Sequence, residues 1–390
     1  MRLFTASQAL CGAVTVSALA VPPPSPVEKR AELVDLKPFG SFETITPEDA
    51  SNGADKALSS LFGSGVFRDD QPWWPSLNEN STDDDDAADN SIMAVGDSTE
   101  HAAATCDANN PNIRFEWRNY QESDRINFVT AIKCLMDAPS GGGFTGSQTR
   151  WEDLVSVHQQ MTSEIHMMAK FLPWHRYYVS VFESLMREEC SFTGAFPWWD
   201  ETKDSGNFAA SGLFEDKYFS PLPAKTSDGQ GTCLSTGTFG NVTLHVGPGT
   251  GNSDHCLSRA GDDSLTESVS ASFVNDCNSR TGYDDMRSCQ ELGPHAYGHN
   301  GIGAVMAEVS SSPGDPIFFM HHLFVDHSFR IWQNADASRL TTISGCADTA
   351  NPCTPITMDT VLSSKGLRPD ATVGDVMNTL GGYLCYRYDY

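Results

Sequence analysis

The chain has 390 residues, which allows one large domain with extensions or two domains. Its formal net charge is −26, from 51 acidic against 25 basic residues. Such a surface repels the phosphates of nucleic acid and anionic membrane surfaces, so binding to either is disfavoured. No run beyond the N-terminus is long and apolar enough to predict a membrane span. Nucleic acid and membranes are therefore not expected as partners.

The N-terminus has the features of a secretory signal peptide. Met1-Arg2 precede a short apolar run that ends in Ala18-Leu19-Ala20, and the prolines that follow cannot continue a helix. We expect residues 1–20 to be removed and the protein to be secreted. Lys29-Arg30 is either a processing site for a protease of the secretory pathway or a surface charge pair.

Residues 21–105 are expected to form a separate acidic segment. Between residues 31 and 105, acidic residues outnumber basic ones by 16 to 3, and few apolar positions recur with a regular period. Such a composition is typical of a loosely structured, solvated segment. Two interpretations stay open: a propeptide, or an N-terminal arm that Phe67 and Trp73-Trp74 anchor on the domain.

The remaining residues, 106–390, predict a mainly α fold with a four-helix bundle core. The spacing of apolar residues predicts one helix that stops at Pro139 and others over residues 151–163, 174–190 and 316–333. Residues 201–290 have the composition of long loops. Ten cysteines lie outside the signal peptide, and an even number in an exported chain predicts disulfides that staple these loops. Asn80 and Asn241 begin glycosylation sequons, as in an exported glycoprotein.

Histidines recur in two similar apolar segments. In "HMMAKFLPWHRYYVSVFE" Phe171 lies four residues before His175, and in "DPIFFMHHLFVDHSFRIW" Phe318 lies four residues before His322. Each segment predicts a histidine in the first turns of a helix, with a phenyl ring one turn earlier. Further histidines nearby complete two groups of three: His158, His166 and His175, then His295, His299 and His322.

The number of these histidines favours metal binding. A single buried histidine is more often a hydrogen-bonded core residue, but six neutral imidazoles among Trp, Phe and Met all need partners. A metal ion supplies one partner for each, and a site without carboxylate or thiolate favours copper. Two sets of three histidines across a helix bundle would hold a pair of metal ions with open positions between them.

The segments "FLPWHRYY" and "SPGDPIFFMHHLFVDH" resemble the two copper-binding signatures of the type-3 copper proteins, which include tyrosinases, catechol oxidases and haemocyanins. The resemblance covers residues 106–390 as a tyrosinase-like catalytic domain, similar to the short, secreted fungal polyphenol oxidases. It implies a dinuclear copper site with O2 as co-substrate. The implied ligands are His158, His166 and His175 for the first copper and His295, His299 and His322 for the second. His321 is the alternative to His322, and is expected to take a hydrogen-bond partner.

The resemblance implies oxidation of o-diphenols (catechols) to o-quinones, with ortho-hydroxylation of monophenols as a further activity. Many tyrosinases have Asn directly after the first ligand of the second copper, together with a water held by an upstream Glu. Here Ala296 has that position, Asn300 follows the next ligand, and Glu291 is only four residues before His295. We therefore expect diphenol oxidation to dominate. His327 stands where the family usually has Arg, so a weaker ion pair or a neutral hydrogen bond is expected.

Two other functions share parts of this pattern. The same histidines serve haemocyanins, so reversible O2 binding is the alternative, although carriers are usually assembled from many such units. A hydrolase with two zinc ions is disfavoured because such sites usually include bridging carboxylates.

Longer relatives have a further domain that covers the site. Because the chain ends at Tyr390, any latency is expected to come from the acidic segment before residue 106.

Overall fold

The computed structural model describes residues 41–51, 109–227 and 231–390, all within one compact unit. The predicted signal peptide, Lys29-Arg30, the sequon at Asn80 and the anchors Phe67 and Trp73-Trp74 lie outside the described residues. The α-helices are α1 Pro47–Ser51, α2 Glu122–Asp137, α3 Arg150–Ile165, α4 Phe171–Glu189, α5 Asp263–Thr266, α6 Ala271–Ser279, α7 Tyr283–Gln290, α8 Ala296–Ile302, α9 Ile317–Asn334 and α10 Val373–Met377. The strands are β1 Asn112–Glu116, β2 Pro197–Trp198, β3 Thr232–Cys233, β4 Thr243–Leu244, β5 His255–Cys256, β6 Ser258–Arg259, β7 Val361–Leu362, β8 Ala371–Thr372 and β9 Tyr386–Tyr388.

The core is the predicted four-helix bundle, in which α4 packs against α2, α3 and α9. At the centre, the rings of Phe182 on α4 and Phe319 on α9 stack with their centroids 3.9 Å apart. α4 begins at Phe171, three residues earlier than predicted. Pro173 allows this because the N–H groups of the first helical turn have no carbonyl partner within the helix.

Buried charges fix where α9 begins. Asp315 accepts a hydrogen bond from the backbone N–H of Ile317 at 3.1 Å. Its two carboxylate oxygens also accept bonds from the Arg259 guanidinium, at 2.7 and 2.8 Å. Both side chains are fully buried, so this bidentate pair replaces the water that either charge would otherwise need. Removal of one partner would leave an uncompensated buried charge, and α9 would lose its anchor.

A second buried network ties the C-terminal strand to the bundle. β1 lies between β2 and β9 in a parallel sheet in which Arg114 pairs with Tyr388. The Asp326 carboxylate on α9 accepts hydrogen bonds from Arg114, Arg176 and the hydroxyls of Tyr386 and Tyr388. The two guanidinium groups hold the pKa of Asp326 below its usual range, against the effect of burial. The carboxylate therefore stays ionised inside the protein.

Disulfides staple the long connections, as predicted. Cys134–Cys190 joins the ends of α2 and α4, while Cys233–Cys256, Cys277–Cys289 and Cys346–Cys353 close shorter loops. Cys385 is also disulfide-bonded. Among the described residues, no helix combines the length and the apolar composition needed to cross a membrane.

Candidate metal centre

The first histidine group lies where α3 and α4 meet. His158 is on α3, His166 directly follows it, and His175 lies in the second turn of α4. A capping box between Thr149 and Glu152 fixes the start of α3. One ring nitrogen from each of the three histidines lies within 4.8 Å of the others, and all three side chains are buried. The sequence placed these residues in one group, and the fold brings them together.

Hydrogen bonds orient each imidazole of this group. The Nδ1 atoms of His158, His166 and His175 lie 2.9, 3.2 and 2.8 Å from the backbone oxygens of Ser310, Thr162 and Phe171. A carbonyl only accepts, so each Nδ1 carries the proton and each Nε2 keeps a free lone pair. Among the described residues, none of these buried Nε2 atoms has a hydrogen-bond partner. Three orphaned acceptors that converge in this way fit the donor set of a metal ion.

The second group is built from two segments. His295 and His299 lie on either side of the junction between a π-helical turn, Glu291–His295, and α8. His321 and His322 are on the first turns of α9. One nitrogen from each of these four side chains lies within 4.8 Å of the others. The fold therefore gathers four histidines here, one more than the group predicted from the sequence.

Two of these four imidazoles are held as in the first group. The Nδ1 atoms of His295 and His299 donate to the backbone oxygens of Glu291 and Met306, at 2.9 and 2.6 Å. His295 Nε2 has no partner among the described residues, and neither does His322 Nδ1. His299 Nε2 faces His322 Nε2 at 3.3 Å. The Nε2 atoms of His295, His299 and His322 fit a metal ion better than they fit one another.

His321 has a different partner. Its Nδ1 lies 2.7 Å from Oε1 of Glu201, which belongs to the short 3₁₀ helix Glu201–Lys203, and both side chains are fully buried. Gly298 makes room for this pair, because a Cβ there would lie 2.4 Å from His321 Cε1 and 2.9 Å from Glu201 Oε2. The hydrogen-bond partner expected for His321 is thus confirmed as Glu201. The sequence reasoning missed Glu201, which no spacing connects to the histidines.

Burial keeps the imidazoles of the six predicted ligands neutral. Burial lowers the pKa of His166 to about 4 and lowers the pKa values of His158, His175, His295, His299 and His322 well below their ordinary range. Repulsion between neighbouring imidazolium charges acts in the same direction for most of them. Near neutral pH the rings therefore offer lone pairs, as metal ligation requires.

Aromatic rings connect the two groups. His175 and His322 stack with centroids 4.3 Å apart and an interplanar angle of 10°. The phenyl rings predicted to wall them off lie beside them, Phe171 at 4.8 Å from His175 and Phe318 at 4.2 Å from His322. Phe171 also contacts His295, and Phe318 contacts His158, so each ring bridges both groups. The two groups form one continuous apolar site.

The residues that depart from the family pattern have clear places in the structure. The Glu291 carboxylate accepts from the Met167 backbone N–H at 2.6 Å and from the Arg287 guanidinium at 2.7 Å, so both oxygens are engaged. His327 donates from Nε2 to the Tyr390 backbone oxygen at 2.9 Å and stacks on Trp198. Burial lowers the pKa of His327, which makes it a neutral hydrogen-bond partner rather than a substitute ion pair.

One ring over the site was not expected from the sequence. Phe42 stacks on His299 with centroids 4.2 Å apart and meets His295 edge-on at 5.1 Å. Its backbone N–H donates to Oδ1 of Asn300 at 3.0 Å, and its carbonyl accepts from Nδ2 of Asn300 at 2.8 Å. An isolated phenylalanine in an acidic segment gives no periodic signal, so sequence patterns could not have found it.

Known proteins resemble this chain over most of its length. The family model described as the common central domain of tyrosinase matches residues 148–335. The tyrosinase-like protein phomQ1 of Diaporthe leptostromiformis is 31% identical over 334 residues, which cover 76% of this chain and 82% of the relative. N-acetyl-6-hydroxytryptophan oxidase ivoB of Emericella nidulans is 28% identical over 347 residues, 73% of this chain and 94% of the relative.

A solved structure agrees in fold. A polyphenol oxidase variant from Thermothelomyces thermophila superposes with a TM-score of 0.66 at 26% identity, over 73% of this chain and 91% of that chain. Sequence, fold and the two buried histidine groups thus lead to the same assignment. The chain belongs to the tyrosinase family of type-3 copper proteins.

Proposed function

We propose that the protein is a copper-dependent polyphenol oxidase that converts o-diphenols to o-quinones with dioxygen. The observation that carries the proposal is the set of buried, neutral imidazoles whose free nitrogens converge in two adjacent groups. Membership of the tyrosinase family implies a dinuclear copper site, which these groups fit. Relatives named as tyrosinases and as an oxidase of a hydroxylated tryptophan support an aromatic hydroxyl compound as substrate.

Hydrogen bonds and ring contacts support a ligand assignment. We assign His158, His166 and His175 to the first copper and His295, His299 and His322 to the second. His322 is preferred to His321 because its ring stacks on His175 of the first group and its Nε2 faces His299 Nε2. His321 is fixed by the Glu201 carboxylate and serves as a positioning residue beside the second copper.

When bound, the copper pair supplies two-electron redox chemistry with O2. Two diphenol molecules each lose two electrons and two protons, and one O2 becomes two water molecules. The chain would hold the metal pair with neutral imidazoles, and backbone carbonyls fix all of them except His322. Phe171, Phe318 and the buried Trp174 exclude water from the reacting groups.

Diphenol oxidation is proposed to exceed monophenol hydroxylation. A monophenol must lose its proton as it binds, which calls for a base at the site. Both oxygens of Glu291 are already held by Met167 and Arg287, and burial raises the pKa of this carboxyl while Arg287 opposes the rise. Ala296, next to His295, offers no polar group. The site therefore suits a substrate that already carries two hydroxyl groups.

Export is part of the proposal. We propose that residues 1–20 are a signal peptide, that residues 106–390 are the catalytic domain, and that the protein is secreted. The disulfides support this, because such bonds persist in oxidising compartments. Asn241, which begins a glycosylation sequon, is exposed.

The decisive experiment is copper reconstitution of the full chain, followed by metal analysis and O2 uptake with saturating catechol and, in parallel, phenol. We expect two coppers per chain, rapid O2 uptake with catechol and slower uptake with phenol. Two bound coppers with no turnover of either compound would contradict the proposal. Reversible O2 binding without turnover would instead support the haemocyanin-like alternative, and selective retention of zinc would support the hydrolase.

A further inference from the structure

The described N-terminal segment, residues 41–51, lies across the histidine site; we call it the strap. Phe42 is buried, yet it lies outside the contiguous hydrophobic core to which Ile45 and Ala50 belong. Its ring contacts imidazoles instead: His299 and His295 of the second group and, at 6.0 Å, His166 of the first. The ring therefore sits over the place where the two groups meet.

The strap is fixed by the segment that carries the second group. The Asn300 side chain, next to His299, both donates to and accepts from the backbone of Phe42. The Ile45 N–H donates to the carbonyl of Leu292, in the π-helical turn, at 3.0 Å. Farther along, α1 packs on α6, and Arg280 donates to the Ala50 carbonyl. These contacts hold the Phe42 ring against the imidazoles of His295 and His299.

A phenol or catechol has an aromatic ring of the same size as that of Phe42. To bring its oxygen atoms to metals held by these histidines, such a substrate must occupy the space beside His299 and His295. That space is filled by Phe42, so strap and substrate cannot both be in place. The apparent affinity for a substrate is the affinity of the open site multiplied by the fraction of molecules in which the site is open.

We propose that the strap is an internal competitor of the aromatic substrate and keeps the full chain latent until it leaves. This inference rests on the proposed function for its catalytic consequence. The proposal also gives different outcomes for proteolytic cleavage at two places in the chain. Cleavage after Lys29-Arg30 would leave residues 41–51 on the chain, whereas cleavage beyond Ser51 and before Asn112 would detach the strap from the catalytic domain.

The first test compares the copper-loaded full chain with Phe42→Ala and with Glu43→Ala, which alters an exposed strap residue as a matched control. Phe42→Ala is expected to lower the KM for catechol about tenfold or more, because the ring that competes is gone. Glu43→Ala is expected to leave KM within about twofold of the unmodified chain. An unchanged or raised KM for Phe42→Ala would overturn the proposal.

The second test does not need turnover. Hydrogen exchange of the Phe42 and Ile45 amides is followed in the full chain with and without benzoate, an aromatic probe that cannot become a quinone. Benzoate is expected to speed exchange of both amides by displacing the strap. Exchange that saturating benzoate leaves unchanged would overturn the strap proposal, even if catechol oxidation is observed. Accelerated exchange in a protein that oxidises nothing would support the strap while the proposed function fails.

A cleavable chain keeps the proposal testable if Phe42→Ala does not fold. Ala87→Lys would complete an enteropeptidase recognition sequence with the run Asp83 to Asp86. Cleavage followed by gel filtration is expected to release the strap fragment and to lower KM about as much as Phe42→Ala. The unsubstituted chain treated with the same protease is the control. Release of the fragment without any change in KM would overturn the proposal.

Discussion

The two histidine groups are built differently. In the first, each of three imidazoles donates to a backbone carbonyl. These imidazoles lie on a helix, at the end of that helix and near the start of the next one. In the second, two imidazoles donate to backbone carbonyls, a third pairs with a buried carboxylate, and the ring of Phe42, from outside the bundle, stacks on His299. The first group is fixed by backbone carbonyls alone: two lie one helical turn earlier in the chain, and the third belongs to Ser310 on a distant segment. The second also needs the Glu201 carboxylate and the close approach that Gly298 allows, so substitutions at these two residues should separate the two metals.

The largest effect is expected from loss of a ligand in one group. His322→Ala should reduce the copper content from two ions per chain to one, because His295 and His299 alone cannot complete the second site. Catechol oxidation should disappear with it. Copper analysis of the purified variant measures this, and His175→Ala, which should lose the first ion instead, is the matched comparison. Retention of two coppers by His322→Ala would show that His321 is the sixth ligand.

A smaller effect is expected from His321→Ala. The variant should keep two coppers but bind the second about 10- to 100-fold more weakly, as is typical when a residue that supports a ligand is lost. Titration against a competing chelator measures the difference. Glu201→Gln retains an oxygen that can accept from His321 Nδ1, so it should weaken binding less. Complete loss of the second ion from His321→Ala would contradict this assignment.

Gly298→Ala tests the packing that only the second group needs. The added Cβ would lie 2.4 Å from His321 Cε1, so the His321–Glu201 pair must shift. Overpacking of this kind costs about 1–3 kcal/mol in free energy of unfolding. Urea unfolding of the variant measures the cost, and affinity for the first copper should be unchanged. Gly282→Ala, where the nearest atom lies 4.0 Å away, is the control and should change stability by less than about 0.5 kcal/mol.

The smallest effect concerns His327, which shares α9 with the second group. Burial lowers its pKa, while the Tyr390 carbonyl and the carboxylates of Asp200, Asp326 and Asp389 oppose the shift. Below about pH 6.5 the unfolded chain binds a proton that the folded chain resists, so stability is complete near pH 7 and falls as the pH decreases. The copper-loaded chain should lose at most about 1.4 kcal/mol per pH unit through this residue. His327→Asn should remove that part of the pH dependence; an unchanged profile in thermal unfolding between pH 7 and 5 would contradict it.

Much of the second group could not have been predicted from spacing. Spacing does predict His295, which lies one helical turn before His299, and His322, which lies one turn after Phe318. It gives no sign of Glu201 or Phe42. Glu201 lies about 120 residues before its partner His321, in a loop without periodic pattern. Phe42 lies 258 residues from the Asn300 that holds it. Contacts at such separations arise from the way the chain packs, which no local pattern records.

The sequence alone determined the α-rich fold, the two histidine groups and the phenyl ring beside each, because apolar period and ligand type are local properties that a helix preserves. It also determined that the site would hold neutral nitrogen donors. Only the tertiary structure decided that His321 pairs with a carboxylate and that Phe42 covers His299. Those contacts join segments far apart in the chain, and their selection depends on burial and close packing around a glycine, which exist only once the helices have docked.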